Sequence, residues 1–326
     1  METQKTYHDA SALAVMIGKK PLLVCDQAFD VLGIDLPCEA VRFSAFQSNP
    51  LYEDVEAGVE VLQANQCDFI VAIGGGSSID TAKGIKYYSH TGAPVMAVPT
   101  TSGTGSEATH FAVLYKDGEK YSLADARLLP EYVVLLPEVL RTLPLYQKKC
   151  TMLDALCQAI ESWWSRKATA QSIAYSSQAI HLILDHMDSY LQNEPKGNVQ
   201  MLMASHLAGK AINITTTTAP HAMSYKMSSL LGLPHGHAVA LCLPKVWAFT
   251  GGFDEIAKAL GREDCQDAVA YLEGLLQGLG IFPPDTMDPE SMDRFVLSVN
   301  TERLQNHPIE LDQDAIKAIY EQVFNR

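Results

Sequence analysis

The chain has 326 residues, 47% of them hydrophobic, and a formal net charge of −14, enough for one large or two medium domains with substantial cores. The acidic balance speaks against nucleic acid as a partner and against a basic membrane-binding face. No apolar run reaches the roughly 18 residues of a membrane span, the start METQKTYHDASALAV lacks the basic-then-apolar layout of a secretory leader, and the seven cysteines (Cys25, Cys38, Cys67, Cys150, Cys157, Cys242 and Cys265) are scattered without a CxxC, so the expectation is a cytoplasmic protein with reduced thiols.

PLLVCD (21–26) reads as a short strand ending in Asp26, and EAVRFSAF (39–46) as a second. EDVEAGVEVLQANQ (53–66) has apolar residues at helical spacing. CDFIVAIGGG (67–76) is a strand that runs into glycine, SSIDTAKGIKYYSH (77–90) the next helix, and APVMAVPT (93–100) another buried strand. Strands alternating with helices predict a parallel, doubly wound sheet. After VVLLPEVLRTLP (133–144) the texture becomes helical, as in TMLDALCQAIESWW (151–164), SIAYSSQAIHLILDHMDSYL (172–191) and NVQMLMASHLAGKAINI (198–214). We therefore expect an α/β domain over 1–143 and a helical domain over 144–326.

GGGSSIDTAK (74–83) places three glycines between a strand and a helix. Glycine lets a backbone approach a ligand closely. A helix N-terminus offers free N–H groups to a diphosphate, and Ser77 or Ser78 is placed to cap it. Alone, the stretch also fits a tight turn with no ligand. VPTTSGTGSE (98–107) follows a neighbouring strand, and two such strand ends on one sheet edge make a nucleotide site the better reading. Neither stretch is GxGxxG or GxxxxGK[ST].

Asp154 lies on a predicted helix, and His221 and His235 stand fourteen residues apart in PHAMSYKMSSLLGLPHGHA. One carboxylate and two imidazoles suit Zn²⁺ or Fe²⁺ with an open catalytic position. The GLP before His235 predicts a break between two helices. Helix-end polarity without a metal remains the alternative from spacing alone.

Taken in order, GGGSSIDTAK, VPTTSGTGSE, LDALCQAIES, HLAGKA, PHAMS…LPHG and the closing NHPIELDQDAIKAIYEQVF resemble the iron-containing (group III) alcohol dehydrogenase superfamily. The resemblance implies a Rossmann-like α/β dinucleotide-binding domain, an all-α metal-binding domain (the dehydroquinate synthase-like, iron alcohol dehydrogenase fold) and catalysis between them. It places Gly74, Gly75, Gly76, Ser77 and Ser78 at the cofactor pyrophosphate and Thr100, Thr101, Ser102 and Thr104 on the nicotinamide side. Asp26 falls where an acidic residue would meet the adenosine ribose and repel a 2′-phosphate, which favours NAD(H). Lys83 would lie near the cofactor or cleft, without an assigned role.

The metal ligands implied are Asp154, His221 and His235, holding Fe²⁺ or Zn²⁺. Where four-ligand relatives have a histidine four residues after the aspartate, this chain has Gln158, a weak ligand or a neighbour of the metal, as in glycerol dehydrogenase-like relatives with three protein ligands. Tyr225 stands where an HxxxH pattern would put a second histidine. Among the cations, Lys210 interrupts the apolar run HLAGKAINI and Lys226 follows His221 by five residues. Each also fits a structural role, Lys210 as one half of an ion pair and Lys226 on a solvated helix face. With the hydroxyls of TTTTAP (215–220) they would suit an aldehyde bearing a phosphonate or phosphate. DALCQAIESWW, AGKAINI and TTAPHAMSYK resemble the phosphonoacetaldehyde reductase branch most. The implied reaction is NADH-dependent reduction of a small anionic aldehyde in a homodimer, with water or a histidine such as His237 supplying the proton. A general alcohol or glycerol dehydrogenase, a dehydroquinate synthase-like cyclase and a non-catalytic NAD-binding protein are the alternatives.

Overall fold

The computed structural model describes residues 4–117, 119–284, 289–299 and 301–324. Six strands form one parallel sheet: β1 (Lys5–Tyr7), β2 (Pro21–Cys25), β3 (Val41–Phe43), β4 (Phe69–Gly74), β5 (Val95–Pro99) and β8 (Tyr132–Val134), in the order β1-β8-β5-β4-β2-β3. The chain steps from β2 outward to β3, then returns to lay β4 on the other side of β2. That reversal opens a crevice beyond the carboxyl ends of β2 and β4. Register brings Cys25 level with Ile73, and Gly74 level with Pro99. Asp26, the glycine run and the threonines after Pro99 therefore leave the same sheet edge.

Alternation along the strands sorts their side chains onto two faces. Leu22, Val24, Ile70, Ala72, Val95 and Ala97 pack in one core, and Leu23, Cys25, Phe69, Val71, Ile73, Met96 and Val98 in another. Both faces are covered, which is why the strands read as continuous apolar runs. Helices α1 (Tyr52–Ala64) and α2 (Gly76–Ser89) follow the predicted pattern. Two features carry no strong sequence signal: the short edge strand β1, and an antiparallel hairpin of β6 (Phe111–Lys116) and β7 (Glu119–Ala124).

From Leu145 the described residues are helical: α3 (Leu145–Trp164), α4 (Ala170–Leu191), α5 (Pro195–Thr215), α6 (Ala219–Leu231), α7 (His235–Thr250), α8 (Asp254–Ala259), α9 (Cys265–Leu279), α10 (Pro289–Ser298), α11 (Thr301–Gln305) and α12 (Gln313–Phe324). Among them no helix is long and apolar enough to cross a membrane. All seven cysteines are free thiols.

Within the helical core, Trp164 stands edge-on to Trp247 and to His307. His307 is fully buried. Thr250 Oγ1 lies 3.0 Å from its Nε2, and Nδ1 has no partner among the described residues. Burial pulls its pKa down to about 4, partly opposed by Glu161 and reinforced by Arg166. The unfolded chain thus takes up this proton first as pH falls, so stability is complete above about 6.5 and lost down to about 4. His307→Phe should flatten that acid slope, removing about 3 kcal/mol of loss across the window. Urea unfolding at a series of pH values checks this, and parallel profiles for the two proteins would refute it.

Candidate metal and dinucleotide site

The two glycine stretches meet face to face. A Cβ on Gly75 would stand 3.2 Å from Thr101 Cγ2, and one on Gly76 would stand 3.0 Å from Thr104 Cγ2. The Thr100 N–H donates to Gly74 O at 3.0 Å. Gly75 caps α2 without any side-chain bond, so the first N–H groups of α2 stay available to an anion. Among the described residues the buried Ser78 Oγ also finds no partner. A bare helix start, side-chain-free backbone and an orphan hydroxyl together fit a dinucleotide pyrophosphate. Ser77 is committed otherwise, donating to Ser48 O. Asp26 follows β2 and accepts from Ala28 N at 2.8 Å, and the nearby Arg42 cation is paired with Asp30 at 2.6 Å.

Ser102 is buried and shares a 2.6 Å hydrogen bond with Tyr190 on α4. Lys83 is likewise buried and donates to the carbonyls of Ser106, Thr109 and Phe111. Burial lowers its pKa to about 8, with Asp80 and Glu107 opposing. It fastens the loop after β5 to α2.

Asp154 on α3, His221 in the first turn of α6 and His235 at the start of α7 converge, with one donor atom of each within 4.8 Å of the others. Gly232, in a left-handed conformation at φ +66°, ends α6, and Pro234 precedes α7. The predicted GLP break thus turns the chain so that both histidines face Asp154. His221 Nε2 lies 3.2 Å and His235 Nε2 3.9 Å from Asp154 Oδ1. Among the described residues that oxygen accepts no well-aligned hydrogen bond. A buried carboxylate oxygen left open beside two imidazoles is a donor set built for a divalent cation.

Behind His221 stands Glu161, two turns of α3 beyond Asp154. Its Oε2 contacts His221 Nδ1, and its Oε1 accepts from Thr218 N at 2.9 Å and Thr218 Oγ1 at 3.0 Å. A carboxylate on Nδ1 aims Nε2 at the cation position. Burial draws the His221 pKa down, but Glu161 and Asp154 outweigh it and raise it to about 9. Burial raises the Asp154 carboxyl, while His235, His221 and Gln158 outweigh that and hold it below its ordinary value. Gln158 donates from Nε2 to Thr104 O at 3.3 Å, and among the described residues its buried Oε1 has no partner. It bridges the metal helix to the second glycine stretch.

The remaining candidates lie elsewhere. Lys210 is half-buried, its ammonium 5.9 Å from the Tyr175 ring on α4. Lys226 is half-buried on α6. Neither contacts Asp154, His221 or His235 among the described residues. His237 is held by Tyr146 OH at 2.8 Å and Phe282 O at 2.9 Å, so both ring nitrogens are taken. The TTTT hydroxyls also serve the fold: Thr215 donates to Ser162, Thr217 accepts from Arg303, and Thr218 joins Glu161 to Trp164 Nε1. What HLAGKA contributes is a joint. His206 meets Glu107 at 3.1 Å, and the Cα of Gly209 sits against Gly105, where a Cβ would fall 2.5 Å away.

The charges that act on His235 are instead Lys120 of β7 and Arg303 of α11, together with Asp154 and His221. Lys120 Nζ lies 3.1 Å from the Tyr225 ring centroid and Arg303 Cζ 5.5 Å from it. The Tyr225 ring stacks on His235 at 5.8 Å and 10°. Burial, reinforced by Arg303, pushes the Lys120 ammonium well below its ordinary value. No motif marks either residue.

Comparison with known proteins agrees with this geometry. The chain matches family profiles described as iron-containing alcohol dehydrogenase over residues 3–137 and as the C-terminal part of the Fe-containing alcohol dehydrogenase family over 149–324. It is 30% identical to the phosphonoacetaldehyde reductase of Streptomyces viridochromogenes, covering 81% of this chain and 78% of that protein. It is also 31% identical to the 1-propanol dehydrogenase of Salmonella typhimurium, covering 79% and 75%. The sulfoacetaldehyde reductase of Bifidobacterium kashiwanohense, solved with NAD⁺, superposes with a TM-score of 0.90 at 25% identity over 99% of this chain and 98% of that one. With its glycine cradle at the sheet edge and its Asp-His-His cluster in the helical domain, the chain belongs to the iron-containing alcohol dehydrogenase family of metal-dependent alcohol and aldehyde oxidoreductases.

Proposed function

We propose that the protein uses NADH to reduce a small aldehyde whose far end is an oxyanion, with phosphonoacetaldehyde, giving 2-hydroxyethylphosphonate, as the substrate. The observation that carries the reaction is the buried, carboxylate-backed set of Asp154, His221 and His235 beside the uncapped start of α2. When bound there, a divalent metal supplies Lewis acidity to the carbonyl oxygen and NADH supplies hydride. The chain's part is positional. Glu161 takes the Nδ1 side of His221, leaving Nε2 for the cation. Gly74, Gly75 and Gly76 admit the dinucleotide's diphosphate to the α2 start, and Asp26 sits at the sheet edge where a ribose hydroxyl can donate to it. Gln158 couples the two walls through Thr104.

Relatives at similar identity act, by their names, on both charged and neutral substrates, so overall likeness does not choose between them. The anionic reading draws support from the two cations at the metal cluster. NADH oxidation by metal-loaded enzyme with phosphonoacetaldehyde, sulfoacetaldehyde, glycolaldehyde, dihydroxyacetone and propanal tests it. The expected result is a kcat/KM for phosphonoacetaldehyde at least about tenfold above every uncharged carbonyl. Equal values for propanal would sink the anionic reading in favour of a general alcohol dehydrogenase.

A further inference from the structure

We propose that Lys120 and Arg303, gathered around the Tyr225 ring, form the subsite that receives the oxyanion of the substrate and so determines its specificity. The inference rests on the anionic-aldehyde reading above and assigns it to particular side chains. Lys120 arrives from the β6–β7 hairpin of the N-terminal domain and Arg303 from α11 near the end of the helical domain. Both reach one tyrosine of α6. Among the described residues Lys120 Nζ donates to no acceptor and pairs with no carboxylate, and its recorded contact is the ring. Arg303 donates to Thr217 Oγ1, which steadies its guanidinium at this spot. Two cations drawn to one half-buried position repel each other. A tetrahedral oxyanion between them relieves that repulsion and accepts from both.

Spacing supports the assignment. Tyr225 stacks on His235 at 5.8 Å, and His235 is one of the three converging donors. A two-carbon aldehyde with an oxyanion on its second carbon holds the charge roughly 4–5 Å from the carbonyl oxygen, by ordinary bond lengths. Lys120 and Arg303 thus stand one aromatic ring away from a residue of the metal cluster. Tyr225 supplies the spacer where an HxxxH pattern would place another imidazole. In this arrangement the anion meets the Lys120 and Arg303 cations, and the carbonyl extends toward the metal cluster. Phosphonate and sulfonate share this chemistry, and the experiment must separate them.

The test compares wild type with Lys120→Met, Lys120→Arg and Arg303→Met, each zinc-loaded, by kcat/KM on phosphonoacetaldehyde, sulfoacetaldehyde and propanal. Methylphosphonate and methanesulfonate binding to the zinc- and NAD⁺-loaded proteins is measured by calorimetry. Lys120→Met and Arg303→Met should each lower the preference for phosphonoacetaldehyde over propanal by about 50-fold, mainly through KM. Lys120→Arg should retain most of that preference, and methylphosphonate should bind wild type but not Lys120→Met. An unchanged preference in both Met variants, or binding of neither methylphosphonate nor methanesulfonate by wild type, overturns the subsite. If wild type favours propanal while methylphosphonate still needs Lys120, the subsite stands and the substrate assignment falls. A stronger effect with the sulfonates than with the phosphonates would overturn the phosphonate choice and keep the subsite.

Discussion

Asp154→Asn is expected to lower metal affinity by roughly 10³-fold, and kcat with it at limiting metal, while the protein stays folded. Asp154 is the sole anionic donor of the cluster, and it is buried with its Oδ1 turned toward both histidines. The amide has nearly the same shape, so the helix packing around Leu153, Ala155 and Cys157 is kept. What disappears is the charge that makes the site attractive to a cation. Glu161 cannot replace it, because both of its oxygens are occupied by His221 and Thr218 on the far side of the imidazole. Metal content after dialysis, zinc affinity by competition with a chelator dye and the circular dichroism spectrum would be read together. Wild-type zinc affinity in the variant would remove Asp154 from the ligand set, whatever happened to turnover.

The parts of the molecule legible in sequence are those whose chemistry is local. A strand running into glycine and then into a helix is a single local event, so β4, the cradle and α2 were visible as one unit. The GLP break before His235 was equally readable, because Gly232 and Pro234 act on their own backbone. Glu161 could have been found from its place on α3: seven residues beyond Asp154, two helical turns, it shares the face that carries the metal ligand. The lysines show the opposite case. Lys210 interrupts an apolar run, yet α5 turns it toward Tyr175, and it is the neighbouring Gly209 that touches the other domain. Lys120 and Arg303 sit in polar segments that carry no motif. Their meeting at Tyr225 depends on how the hairpin and α11 pack, which no local pattern encodes.

The other large effect belongs to a glycine. Gly236→Ala is expected to destabilise the protein by about 3 kcal/mol and to weaken zinc binding as well. A Cβ at this position would lie 1.9 Å from the carbonyl oxygen of Cys150 and 3.0 Å from Asp154 Cβ. The first of these is backbone in the middle of α3, so no side-chain rotation can relieve the overlap. Helix α7 must therefore retreat from α3. His235 is the adjacent residue and the first of α7, so its Nε2 moves away from Asp154 in the same step. Metal geometry tolerates errors of only a few tenths of an ångström, which couples a packing defect to affinity. Gly274→Ala on α9 is the matched control, since a Cβ there meets nothing within 4 Å. By helix propensity alone it should stabilise by about 0.5–1 kcal/mol. The urea midpoints of the two variants should move in opposite directions from wild type, and only Gly236→Ala should lose metal. Wild-type stability and zinc affinity in Gly236→Ala would show that contact between α7 and α3 is not what sets His235 beside Asp154.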